Sequence, residues 1–193
     1  MKEIISVERM DELGDELILA YAEDVSPKTW HKMVMDWNFD NSDAFLDWLA
    51  DNPQTDKATV LIIYWKSAPR YFKQFKDKEH LLKEETYSLK NFERIEKIEN
   101  HFATGFYENQ NFEYDPANDG DFDWTNDYSD IETVNEIPEI MFQKLTGKKI
   151  KMPVDFNEGF PPELYESLEK LAINYNVIWD EDDEYYDFED ENE

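Results

Sequence analysis

The sequence predicts a mainly α fold: a compact helical domain that carries an irregular aromatic and acidic excursion and ends in a disordered acidic tail. Three observations predict it. Apolar residues recur at three- and four-residue spacing through the first half, Ser, Asp and Pro stand where helices would start, and the periodicity stops from Phe106 to Ile131. The expected division is a helical domain over 1–105 with its core at about 26–76. Residues 106–179 then form an irregular segment and C-terminal helices packed on that domain, and 180–193 form the tail.

The elements follow in order. Met10–Glu23 places Met10, Leu13, Leu17, Ile18 and Tyr21 on one stripe, the mark of an amphipathic helix. Ser26-Pro27 is a cap with proline at the first helical position, opening a helix to about Asp36. Ser42 caps Asp43–Ala50, whose Phe45, Leu46 and Leu49 face inward, and Asn52-Pro53 ends it. Asp56 caps Lys57–Lys66, which is apolar nearly all round and so should be the most buried helix. A strand competes over the β-branched Val60–Tyr64, but caps and length favour the helix. Ala68-Pro69 starts a further helix over Arg70–Phe75, and Ser88 to about Ala103 is a longer one that Gly105 ends. Between Phe106 and Ile131 turn formers alternate with rings, which reads as an ordered excursion, with room for a short hairpin at Asn118-Asp119-Gly120. Pro138–Leu145 resumes helix with Gly147 as its stop, and Pro161-Pro162 opens the last helix over Glu163–Tyr175. Val177-Ile178-Trp179 is a short strand or a docking segment, and disorder is expected after Asp180.

Composition narrows the function classes. The formal net charge is −28, with 47 acidic against 19 basic residues. Much of the negative charge lies in two base-free stretches, Ile98–Gln143 and Asp180–Glu193. Such a field repels nucleic-acid phosphate and anionic lipid and draws basic partners, so a basic protein partner is expected, with no nucleic acid and no membrane. The absence of cysteine removes disulfides, thiolate metal sites and a cysteine nucleophile. Neither a secretion-type N-terminal apolar run nor a membrane-length segment is present, because Val60–Trp65 is the longest apolar run. A cytoplasmic protein is expected.

One stretch carries a resemblance. Trp37-Asn38-Phe39-Asp40-Asn41, Asp51-Asn52-Pro53-Gln54-Thr55-Asp56, Ile63-Tyr64-Trp65 and Pro69-Arg70-Tyr71 together resemble the DUF4274 family, over roughly residues 30–72. Phe39 stands where the family tends to have Trp, and Thr55 where it tends to have Cys. The resemblance implies a small helical domain and supplies no catalytic residues. Domains of this kind occur among immunity proteins of toxin systems, an analogy of setting only.

Motifs with chemistry fall short of their requirements. Asp115–Asn126 imitates a calcium loop with Gly120 at its sixth position, but Ala117 and Asn126 occupy ligand positions, leaving only a looser site at Asp119, Asp121 and Asp123. His31, His80 and His101 lack metal-clamping spacing and read as surface or helix-end residues. Gly147-Lys148-Lys149 is no phosphate loop and reads as a helix stop followed by bases. The basic region Lys66–Lys97 is diluted by acids and reads as solvated helix faces that pair with the acidic segments. No catalytic residue, metal ligand or cofactor site is named.

The best candidate is Asp119, Asp121, Phe122, Asp123, Trp124, Asp127 and Tyr128, where acids would steer a partner and rings would anchor it. The bland alternative makes the rings core and the acids a solubility coat. The expectation is a non-catalytic acidic interaction protein of the immunity type that neutralises a basic toxin or nuclease. The alternative is a hydrolase or transferase with a carboxylate site near the irregular segment.

Overall fold

The structure is a computed structural model that describes residues 2–85 and 88–178. Eight α-helices and one two-stranded sheet make up its regular elements among these residues, so the fold is mainly α. Strand β1, Glu3–Ser6, leads into α1, Val7–Asp24, where the Ser6 side chain accepts from the Arg9 N–H and so caps the helix. Helices α2 (Pro27–Met35), α3 (Asp43–Ala50) and α4 (Lys57–Lys66) begin at the expected caps. The Ser42 hydroxyl takes the Ala44 N–H at 3.1 Å, and the Asp56 carboxylate takes the Ala58 N–H at 3.0 Å. Every residue from Ala58 to Trp65 is buried, as its all-round apolar sequence predicts. Helix α4 is the axis of the molecule, touching α2, α3 and the later helices α5 (Pro69–Phe72) and α7 (Leu89–Thr104).

Strand β1 is not expected from the sequence, and three further elements depart from that reading. Helix α5 stops at Phe72 rather than Phe75. Helix α6, Lys78–Glu84, has no apolar stripe to announce it; it hangs on the Asp77 cap, which accepts from the His80 N–H, and on the buried Leu81. Pro138–Leu145 is not a helix. Only a 3₁₀ turn, Glu139–Phe142, forms there, because the chain must extend to exchange backbone hydrogen bonds between Leu145 and Tyr114, at 2.8 and 3.1 Å. Gly147 is therefore no helix stop. It lies where a Cβ would sit 2.6 Å from the Asn111 carbonyl oxygen, so two chain segments cross at backbone contact.

The chain closes on itself. Helix α8, Pro162–Asn174, packs against α1, and β2, Tyr175–Ile178, pairs parallel with β1 in the register Glu3↔Tyr175 to Ser6↔Ile178. Val177 and Ile178 thus belong to a strand, whereas Trp179 and the acidic tail 180–193 lie outside the described residues. Among the described residues no helix is long and apolar enough to cross a membrane.

The irregular half is held by side chains reaching out of the helices. The Trp65 indole donates to the Met141 carbonyl at 2.9 Å, and the Asp56 carboxylate takes the Asn111 N–H. Arg70 donates to the Thr125 carbonyl at 2.7 Å, and the Lys73 carbonyl accepts from Val134 and Asn135. Phe112, Tyr114 and Tyr107 are buried among the helices.

The turn at Trp37-Asn38 has a similar duty. Asn38 donates its N–H to the Glu158 carbonyl, and Gly159, at φ +89°, fits against the Trp37 ring where a Cβ would come within 2.7 Å. Thr55 sends its buried hydroxyl to the Leu49 carbonyl at 2.8 Å. Asn38 and Thr55 of the family-like motif are thus engaged in holding the fold together, whereas Trp37 Nε1 and Asn41 Nδ2 are buried without a hydrogen-bond partner among the described residues.

Candidate functional site

The face around Asp119–Tyr128 is built from a sequence of turns. Asp119 and Phe122 exchange backbone hydrogen bonds at 3.0 and 3.1 Å, and Gly120 (φ +65°) turns the corner, so the short hairpin is present. The Asp123 carboxylate then caps a 3₁₀ turn, Trp124–Asn126, by accepting from the Thr125 N–H at 3.0 Å. Trp124 is fixed on several sides. Its backbone N–H donates to the buried Pro116 carbonyl, its indole N–H donates to Asp119 Oδ2 at 2.8 Å, and the Lys66 ammonium stands 5.8 Å from its ring.

On this support the Phe122 ring stacks against Trp124, with centroids 5.3 Å apart and planes 16° apart, and stays 63 % exposed. Asp121, Asp123 and Asp127 are exposed around it. Tyr128, at φ +52° and 42 % exposed, packs its ring 5.6 Å from Tyr71. The structure therefore brings Asp119, Phe122 and Trp124 into one unit with three exposed carboxylates beside it. Trp124 is half-buried, and Asp119 directs one oxygen inward to hold it, so neither is a freely displayed group.

Other sequence readings change. His31 is not a surface residue: it is 2 % exposed, its Nδ1 lies 2.8 Å from Thr59 Oγ1, and its ring lies 4.6 Å from Phe112. Burial lowers its pKa to about 4, which keeps the ring neutral. The Lys66–Lys97 region is not simply solvated. Arg94 is buried and pairs with Asp43 and Asp47, and Lys73 reaches Glu99 at 2.7 Å, where Tyr64 also donates at 2.6 Å. Burial first, and then the Glu99 carboxylate, push the Tyr64 hydroxyl pKa upward, so it stays a donor. These partners lie mostly on the helices, not in the acidic excursion.

Sequence reasoning missed a cavity of about 560 Å³ between α2, α4 and the segments 113–120 and 144–152. His31, Met35 and Ile62 come from the helices; Tyr114, Asp115 and Asp119 come from the excursion; Lys144, Lys149 and Lys151 come from the returning strand of chain. The available signal was the run Lys144–Lys151, which holds four lysines and no acid in a chain otherwise dominated by carboxylates. Within the cavity Asp115 pairs with Lys144 at 2.8 Å, and Glu113 faces Lys149 at 3.8 Å. Burial lowers the Lys66 pKa, opposed by Asp119 and Asp36, and its ammonium donates to the Met35 carbonyl at 3.0 Å. Among the described residues no group of three or more His, Asp or Glu side chains is placed to hold a metal ion.

No curated protein and no solved structure matches the chain. A family model does match, from residue 25 to residue 103, a span that runs from α2 into the last turn of α7 and supplies the helices on which both the acidic face and the cavity rest. That segment of the chain matches the model of DUF4274, described as a domain of unknown function.

Proposed function

We propose that the chain is a non-catalytic interaction protein that binds a basic protein through the Asp119–Tyr128 face, acting in the cytoplasm as an immunity-type neutraliser of a basic toxin or nuclease. The observation that carries this reading is Phe122. A ring 63 % exposed, stacked on a fixed indole and surrounded by carboxylates, is costly to leave in water and suited to being covered. Burying such a side chain contributes about 1.5–3 kcal/mol, while the acids raise the rate of encounter with a cationic surface. Lys66 and Arg70 hold the face in place beforehand, which lowers the ordering cost of association.

The competing reading as a hydrolase or transferase asks for carboxylates free to exchange a proton. Asp115 holds Lys144 and Asp119 holds the Trp124 indole, which favours binding over proton transfer.

Affinity capture from the native cell at low salt tests the proposal. A basic protein should be recovered, associating more slowly as salt rises, since the screening length falls to about 10 Å at 0.1 M. Phe122→Ala should weaken that complex by about 2 kcal/mol while shifting folding stability by no more than about 0.5 kcal/mol. Recovery of no basic protein, or a complex indifferent to both salt and Phe122, refutes the assignment.

A further inference from the structure

The 560 Å³ cavity has the size of a small-molecule site and a lining unlike the rest of the surface. Its floor combines the apolar Met35, Ile62 and Ile150 with the neutral His31. Its rim carries the exposed Lys144, Lys149 and Lys151, and the half-buried Lys66 lines it further in. A neighbouring hollow of about 370 Å³ shares Lys149–Met152 and adds Lys28, Lys32 and Lys148 against one carboxylate, Asp155. On a chain of net charge −28 this is a local reversal of sign. The carboxylates inside the cavity are already engaged, with Lys144, Lys149 and the Trp124 indole.

Tyr114 supplies an independent sign of a ligand. It is 7 % exposed and lines the cavity, yet its hydroxyl is buried without a hydrogen-bond partner among the described residues. A buried donor left unmet is destabilising. Burial, followed by Asp119 and Asp115, raises the hydroxyl's pKa, so it keeps its proton and calls for an acceptor. An oxyanion meets that demand.

All the cations are lysines. An ammonium is a point charge suited to phosphate oxygens.

We propose that this cavity binds a phosphate group, free or carried on a small organic molecule, through the Tyr114 hydroxyl and the ammonium groups of Lys66, Lys149 and Lys151. The site adjoins the partner-binding face and shares Lys66 and Asp119 with it, but it is tested with different ligands, so its failure would leave that reading standing. Distant carboxylates oppose the approach of an anion, but their field is screened over about 10 Å at 0.1 M salt, so the local potential is set by the four lysines of the lining against Glu113, Asp115 and Asp119.

Titration calorimetry of the full chain with inorganic phosphate and, separately, with AMP tests the proposal. Saturable binding of at least one probe is expected. It should weaken about tenfold, near 1.4 kcal/mol, in a Lys149→Ala/Lys151→Ala variant whose exposed positions leave folding intact. Tyr114→Phe should weaken binding several-fold while the melting temperature holds or rises, because an unmet donor has been removed. Tighter binding of AMP identifies an organic phosphate as the ligand class, and tighter binding of phosphate identifies the free ion. Three results overturn the assignment: neither probe binds, binding survives the double variant, or a Lys83→Ala/Lys90→Ala variant outside the cavity weakens it equally.

Discussion

The helical segment from α2 to α7 and the irregular stretch from Phe106 to Phe160 reach order by opposite means. In the first, apolar stripes bury largely against α4, and the side chains of Ser42, Asp56 and Asp77 cap α3, α4 and α6, so most of the order comes from the helices themselves. In the second, the backbone pairs with itself only in two 3₁₀ turns and scattered bridges such as Asp119–Phe122 and Tyr114–Leu145, and it is also tied down by the helical part: Trp65, Asp56, Arg70 and Lys73 each bind a carbonyl or N–H of the excursion, or offer one. The helices were built to hold a second layer. That layer in turn displays Phe122 and closes the lysine-lined cavity.

The largest expected effect comes from cutting this dependence at Trp65, which is 1 % exposed and belongs to both regions. Its ring lies 5.0 Å from Phe142, and its indole holds Met141. Trp65→Ala should lower unfolding free energy by about 3–5 kcal/mol in urea titrations. Trp65→Phe keeps most of the volume and loses the hydrogen bond. It should cost about 1–3 kcal/mol and speed amide exchange mainly over Glu139–Leu145. If Trp65→Phe instead loosened α4 and α7 equally, the two regions would not be separable in this way.

The same asymmetry explains what could be read from the chain. Helices α2, α3 and α4 were legible because Ser26-Pro27, Ser42 and Asp56 mark their starts and the buried pattern follows. Helix α6 was not, since one buried leucine makes no stripe, although the Asp77 cap was a usable signal. The strands were missed at β1 because Glu3–Ser6 is too short for its alternation to show. The Glu139–Phe142 error has a tertiary cause: backbone pairing between Leu145 and Tyr114 overrode a plausible helical pattern. At the candidate face, the mixture of acids and rings was visible, but nothing local reveals that Trp124 is fixed over Lys66 while Phe122 is left outside. The cavity unites Lys66 with Lys144–Lys151, and no window along the chain contains both.

His31 sits where the two regions meet, between Thr59 and Phe112, and gives a second effect through pH. Its folded pKa of about 4 lies below the ordinary value of 6.5 because burial disfavours the charged ring. Between these values the unfolded chain takes up a proton that the folded chain refuses, so stability falls as the pH drops through that window. It stays at the lower level below it. The loss from this group amounts to at most about 3 kcal/mol. Relief of repulsion among protonating carboxylates acts in the opposite direction, so the comparison must be made against a His31→Asn variant. The wild type should lose stability relative to that variant from about pH 6.5 to pH 4, measured by urea midpoints. Parallel curves would show that His31 accepts its proton without disturbing the contact between the layers.

The smallest effect expected concerns Gly147, where the returning chain crosses the excursion at backbone contact. A Cβ there would stand 2.6 Å from the Asn111 oxygen and the Phe112 carbonyl carbon, and neither atom can rotate away as a side chain could. Gly147→Ala must therefore separate the two segments, weakening the Lys148 N–H to Asn111 carbonyl bond now at 2.7 Å. The cost should be about 1–3 kcal/mol, the range for overpacking. Because the helical half makes its own hydrogen bonds, the loosening should remain in residues 109–114 and 144–150, as amide exchange would show. Both stretches border the lysine-lined cavity, so the substitution should disturb the cavity wall before it disturbs α4. If unfolding free energy and α4 protection fell together, the irregular half would be as much a part of the cooperative core as the helices, and the contrast between self-sufficient and dependent layers would fail.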